Sequence, residues 1–260
     1  AIELTRVFGD VPYTEAVGAE IGIYTPSYDR QELIYASALD SLKAAGLELA
    51  QNTETIRGDV IYEGNKKQWQ KLINSYSLRV LMSLSNKVDQ TDIDIVGRFN
   101  EILNNFDQFP IFESNSDNAS LVYVDIQDNR YPLFNDNSLQ TAYYMEQTFV
   151  ERLQNYEDPR LFMMADKKPN ASNLNVEDFS AYGGLYGSAP LSDNGSKAVS
   201  GEASRIKPRY YNNPVNEPSI LMSYAELQFT LAEAAARGWI SEPSEPYYKS
   251  GIAASLAFYG

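Results

Sequence analysis

Thirty-five Asp and Glu residues, with no His and no Cys, define the acids, bases and nucleophiles this chain can offer. Without imidazole or thiol there is no Ser-His-Asp or Cys-His arrangement, no His/Cys zinc site, no disulfide and no histidine pH switch. Carboxylates are the strong acid/base groups that remain, and a glycosidase would hold two of them about 5–10 Å apart across a cleft. Glu226 and Glu233 lie two turns apart on one helical pattern, about 10.5 Å along its axis. Glu233 with Arg237 reads better as a solvated i,i+4 ion pair. No catalytic residue is therefore expected. Gly183-Gly-Leu-Tyr-Gly187 lacks the Gly-x-Gly-x-x-Gly spacing and any Gly-Lys-Ser/Thr sequel, and reads as a mobile turn presenting Tyr182 and Tyr186. Asp125-Ile-Gln-Asp128 and Asn135-Asp136-Asn137 carry oxygens suited to calcium but miss the EF-hand spacing, so they read as solvated loops. No metal or cofactor is expected. The triplets at Asn118, Asn170 and Asn194 match the N-glycosylation pattern, which is common by chance.

Tyrosine is the informative excess: nineteen against eleven Phe and two Trp. A phenol ring joins an apolar face to a hydrogen-bonding tip at low entropic cost, the combination used by recognition surfaces. A sugar ring presents a matching pair, an axial C–H face and equatorial hydroxyls. Asn129, Arg130, Tyr131, Tyr182, Tyr186, Tyr210 and Tyr211 are the candidate ligand contacts. For any single tyrosine, packing of a loop onto a helix is the competing reading.

The elements that must position these groups follow from periodicity. Apolar spacings of three and four predict helices over residues 28–51, from Lys66 through Leu84, and over 92–106. Residues 107–219 hold eight of the twelve prolines and nine tyrosines, a composition of long ordered loops with short strands. Within them 121–124 is expected as a strand and 139–155 as a helix, ended by Asp158-Pro159. Leu221, Tyr224, Leu227, Leu231 and Ala235 form a helical face, and Ser244 caps a last helix. The short link between those two makes them an antiparallel hairpin, whose alanines at 232 and 234–236 would let the backbones approach. The class is mostly α, with hairpins like those of tetratricopeptide arrays.

A net charge of −14 and scattered basic residues argue against nucleic acid or an anionic membrane face. No apolar run reaches the roughly 18–20 residues of a membrane helix, and residues 1–9 lack signal-peptide features. Either the chain is not exported or its targeting segment lies outside this sequence.

Several stretches, in order, resemble the SusD/RagB family of nutrient-binding outer-membrane lipoproteins of Bacteroidetes. They are Phe8-Gly-Asp-Val-Pro-Tyr-Thr-Glu-Ala16, Pro26-Ser-Tyr-Asp-Arg-Gln31, Gly58-Asp-Val-Ile-Tyr62, Trp69-Gln-Lys-Leu-Ile-Asn-Ser-Tyr-Ser-Leu-Arg79, Asp158-Pro-Arg160 and 224–238. The resemblance implies a helical scaffold with a loop-built surface site and no catalysis. It also implies a surface-exposed place on the outer membrane through a lipidated cysteine, and delivery of glycans or other nutrients to a SusC-like TonB-dependent transporter. On this reading residues 1–260 are one domain, incomplete at both ends, whose lipid anchor lies outside this sequence. Its parts would be a helical scaffold (1–106), a loop-rich ligand-facing region (107–219) and a helical hairpin (220–260). The ligand is expected to be an oligosaccharide. The alternatives are a peptide or other nutrient, a helical scaffold whose partner is protein, and a carboxylate glycosidase.

Overall fold

A computed structural model of the chain describes residues 1–259 and is mostly α-helical. It divides into two compact units, residues 1–120 with 220–255, and residues 121–219 with the chain end from Leu256.

The first unit contains α1 (Ile2–Phe8), α2 (Gln31–Gln51), α3 (Lys66–Ser83) and α4 (Ile95–Leu103). The chain leaves it through β1 (Ala119–Leu121). Five short helices follow in the second unit: α5 (Asn137–Thr141), α6 (Gln147–Asn155), α7 (Arg160–Met164), α8 (Leu191–Val199) and α9 (Arg209–Asn212). The return is through β2 (Ser219–Met222), which pairs with β1, then α10 (Tyr224–Ala236) and α11 (Ser244–Tyr259).

Helix α3 organises the first unit. Asn65 caps it by accepting from the amides of Lys67 and Gln68, satisfying donors that a helix start leaves open. Leu78, Val80 and Leu81 lie in a core with Tyr35 and Leu39 of α2, Phe99 of α4 and Leu227 and Leu231 of α10. Its buried polar residues serve backbone elsewhere. Gln70 donates to the Gly46 carbonyl (2.9 Å), Asn74 donates to Pro110 (2.8 Å), and Ser75 accepts from the Phe112 amide (3.0 Å). The irregular segment at Pro110 and Phe112 is thus pinned to α3, and Gln70 ties α3 to α2. Beside them Lys71 pairs with Glu113 and, at 2.9 Å, with Asp117, whose side chain is only 4% exposed.

Two expectations need adjusting here. Leu221 belongs to β2, because Ser223 accepts from the Glu226 amide (3.1 Å) and starts α10 after it. The close approach of α10 and α11 comes at Gly251, where an added Cβ would stand 2.8 Å from the Phe229 ring. The alanines instead serve the core, with Ala232 and Ala234 buried. Phe229 meets Tyr248 (ring centroids 5.6 Å apart) and Gly251, so the two helices pack on each other at this point.

The second unit has its own core of Met145, Val150, Leu153, Leu161, Ala165, Ala171, Ala181 and Tyr182. The helix expected over 139–155 is interrupted. Met145 donates to Ser204 and accepts from Leu185, and Gln147 donates to Leu185, so the groups that would carry one helix through this point are already engaged. Glu146 then caps α6 by accepting from the Phe149 amide (2.9 Å). The expected strand overlaps β1 only at Leu121, because the chain beyond turns back, with Val124 donating to Asn129.

Carboxylates hold irregular backbone throughout. Asp59 accepts from the amides of Ile61, Tyr62 and Gly64 and from the Trp69 indole (2.7 Å). Burial pushes its pKa up, but these donors outweigh it and hold the carboxyl below its ordinary value. Asp117 behaves likewise, with burial opposed by the Glu113 amide and Lys71. Asp29 is lowered by the Thr14 amide, and Glu32 by the Thr91 hydroxyl.

Two outcomes follow. Lys71→Met leaves Asp117 buried without its cation and should cost about 3 kcal/mol or more in urea denaturation; an unchanged midpoint would remove the pair from the account. Because these carboxyls ionise more readily in the folded chain, their stabilisation is complete above the ordinary carboxylate range, about 4, and is lost as pH falls through the folded values. The urea midpoint should therefore fall steeply on acidification, and less steeply in Asp59→Asn.

Candidate functional site

Five of the seven residues expected to contact ligand are brought together in the second unit, on two irregular segments tied to each other. The Tyr131 amide donates to the Pro214 carbonyl (2.7 Å) and the Asn135 amide to the Tyr211 carbonyl (2.8 Å). Residues 129–135 are thereby laid alongside 211–214, and Asn129, Arg130, Tyr131, Tyr210 and Tyr211 share one neighbourhood. Pro208 starts α9 with its φ at −55° and its carbonyl accepting from Tyr211 and Asn212.

Inside this neighbourhood the side chains are ordered by charge. Arg209 pairs with Glu217, donates to Asn216 Oδ1 (3.0 Å), and stacks 5.1 Å from the Tyr210 ring centre. The Tyr210 hydroxyl donates to the same Glu217 (3.1 Å). Burial and the Glu217 carboxylate push the Tyr210 phenol well above its ordinary pKa, so it stays a neutral donor. Tyr131 shifts the same way for the same causes. Its ring meets Tyr123 edge to face at 5.5 Å, and the Tyr123 hydroxyl bonds Ser219. Arg130 binds Asp125 through Nε (2.7 Å) and covers the Phe134 ring at 5.3 Å. Its two terminal nitrogens make no hydrogen bond among the described residues. Tyr123, Tyr131, Phe134, Tyr210 and Tyr211 are all half-buried.

The other two residues lie elsewhere. Tyr186 is 39% exposed and donates to Glu151 (2.8 Å), with the Lys197 ammonium 5.5 Å from its ring. The hydrogen bond to Glu151 raises the Tyr186 pKa and lowers that of Glu151. Tyr182 is a correction. It is 2% exposed, packs against Phe162 at 5.6 Å, and donates to the Val176 carbonyl (2.7 Å), so no ring face is free for a ligand. The surrounding glycines form no mobile turn. An added Cβ at Gly183 would stand 2.4 Å from the Glu202 carbonyl oxygen, and one at Gly184 2.7 Å from the Gln147 amide and the Met145 carbonyl. Glycine is needed there for close backbone pairing.

The two carboxylates weighed for acid/base work are both engaged, Glu226 with Arg79 (3.1 Å) and Glu233 with Arg237 (2.7 Å). Of the proposed calcium oxygens, Asp136 caps α5 through the Leu139 amide (2.8 Å) and Asp125 holds Arg130. Sequence reasoning missed Tyr123, Phe134, Arg209, Asn216 and Glu217. The opposite charges bracketing Tyr210 and Tyr211 were the available signal for Arg209 and Glu217.

Glu217→Gln removes the carboxylate shared by Arg209 and Tyr210. It should lower stability by about 2 kcal/mol and diminish the near-ultraviolet tyrosine dichroism. Retention of both would mean the segment is held by other bonds.

A family described as starch-binding and associating with the outer membrane matches residues 2–260. A solved candidate nutrient-binding outer membrane protein of Bacteroides vulgatus is 45% identical, with TM-score 0.89, over 99% of this chain and 56% of its own. A SusD homologue of Bacteroides fragilis is 44% identical, with TM-score 0.88, over 99% and 55%. A chitin-binding protein is 29% identical, with TM-score 0.74, over 99% and 54%. The chain spans about half the length of these solved relatives. No curated protein matches it by sequence.

Proposed function

This chain belongs to the SusD-like family, whose description is starch-binding and associating with the outer membrane, and we propose that it captures an oligosaccharide at the cell surface without chemical change. The observation that carries this is the partly exposed group of Tyr131, Tyr210, Tyr211 and Arg130, held by backbone bonds between 129–135 and 211–214. Aromatic faces accept sugar C–H surfaces, while the open guanidinium nitrogens donate to hydroxyls. A fixed surface is an advantage for such a ligand, because little ordering cost is left to offset its small contact energy. The description of the family and the chitin-binding relative favour carbohydrate over peptide. Transfer of the cargo to a SusC-like TonB-dependent transporter, and a lipid anchor outside this sequence, complete the proposal. No helix among the described residues is long and apolar enough to cross a membrane.

A second surface favours a protein partner as well. Val7, Phe8, Val17, Ile21, Tyr24 and Tyr28 are all exposed within the first twenty-eight residues, and exposed apolar side chains that cluster mark interaction sites. Capture and docking are compatible, since a delivery protein needs both.

Calorimetry with malto- and chito-oligosaccharides should show weak binding that Tyr131→Ala or Tyr211→Ala reduces about tenfold, or about 1.4 kcal/mol, with no reducing sugar released. Absence of binding across a broad glycan panel would exclude carbohydrate. Release of reducing ends would exclude a purely binding role.

A further inference from the structure

We infer that the tyrosine surface selects neutral glycans and rejects those carrying carboxylates or sulfates; this rests on the binding role proposed above. Sugar polymers divide sharply by charge, and an anion-selecting site needs cations whose charge is not already compensated.

The cations of this surface are Arg130 and Arg209, and each has a carboxylate. Arg209 is held by Glu217, which also takes the Tyr210 hydroxyl, so the guanidinium cannot turn outward without breaking a shared network. Arg130 is held through Nε by Asp125 at 2.7 Å. The same two segments carry Asp128 and Asp136 besides. Asp136 is occupied as the α5 cap and Asp128 is exposed, with φ 68°. Residues 123–136 and 209–217 therefore carry two arginines and four carboxylates, on a chain whose net charge is −14. The local field and the whole-molecule field have the same sign, and both repel an approaching anion.

What stays available is uncharged in effect. Arg130 keeps two nitrogens without a hydrogen bond among the described residues, but their positive charge is balanced by Asp125. Such a group donates well to vicinal hydroxyls and gains little extra from a carboxylate. The Tyr211 hydroxyl likewise has no hydrogen bond among the described residues, and a phenol accepts or donates to a neutral hydroxyl equally well. Aromatic faces complete a surface of donors and π-faces with no surplus positive charge.

Salt dependence separates the two classes of ligand. Attraction between a cationic site and an anionic glycan weakens as salt rises, repulsion weakens too, and contacts to a neutral glycan barely respond. The test is calorimetry on the full chain with two oligosaccharides of equal length, one neutral and one of uronate units, at low and at high salt. The neutral ligand should bind with an affinity nearly independent of salt. The uronate should bind at least about tenfold more weakly at low salt, with the gap narrowing as salt is added. Asp125→Asn, which frees the Arg130 charge, should narrow the gap at low salt, and this change should fade as salt is added. Tighter uronate binding that weakens with salt would overturn this inference and leave the binding role standing. Failure of both ligands, and of a wider glycan panel, would overturn the binding role and this inference with it.

Discussion

Backbone amides and carbonyls removed from water must find partners, and long stretches of this chain have no repeating ladder to supply them. That constraint governs both units. Where helices are absent, short acidic and amide side chains take their place: Asp29 holds the amides of Tyr13 and Thr14, Asp59 holds three amides and an indole, and Asn74 reaches the Pro110 carbonyl. Much of the acidity that looks at first like a solvated face is structural. The carboxyls involved are lowered in pKa because they accept hydrogen bonds while ionised.

The same constraint explains how a surface made of loops can be a binding surface. Tyr131 and Asn135 bond the backbone of 211–214, and the Arg209–Glu217 pair spans the turn between α9 and β2. Rings placed on such segments are positioned before a ligand arrives. Since Glu217 serves both the ion pair and Tyr210, the group that orders this segment also balances the Arg209 charge.

How far the sequence carried these points depends on the range of the bonds concerned. The helices α2, α3, α4, α10 and α11 were legible, because each has an apolar stripe of helical period over local sequence. The break between α5 and α6 was not, because Met145 is taken out of the helix by Ser204 and Leu185, partners far away in the chain. Tyr182 and Tyr186 are near neighbours of one residue type, yet one is interior and the other at the surface. Composition cannot tell them apart. The gathering of Asn129, Arg130 and Tyr131 with Tyr210 and Tyr211 depends on cross-segment backbone bonds for which sequence has no periodic signature. The chemistry of tyrosine was readable, and its location only partly so.

The central claim is that oligosaccharide lands on an already ordered surface built from 123–135 and 209–217. Amide hydrogen exchange, followed by mass spectrometry with and without a saturating neutral oligosaccharide, tests it most directly. The account predicts measurable protection of Tyr131 and Asn135 in the free chain and added protection on binding confined to those two segments. Protection gained instead in the groove between α2, α3 and α4, where Lys43 and Arg98 meet Glu101 and Asp40, or full exchange of 123–135 until ligand is added, would contradict it.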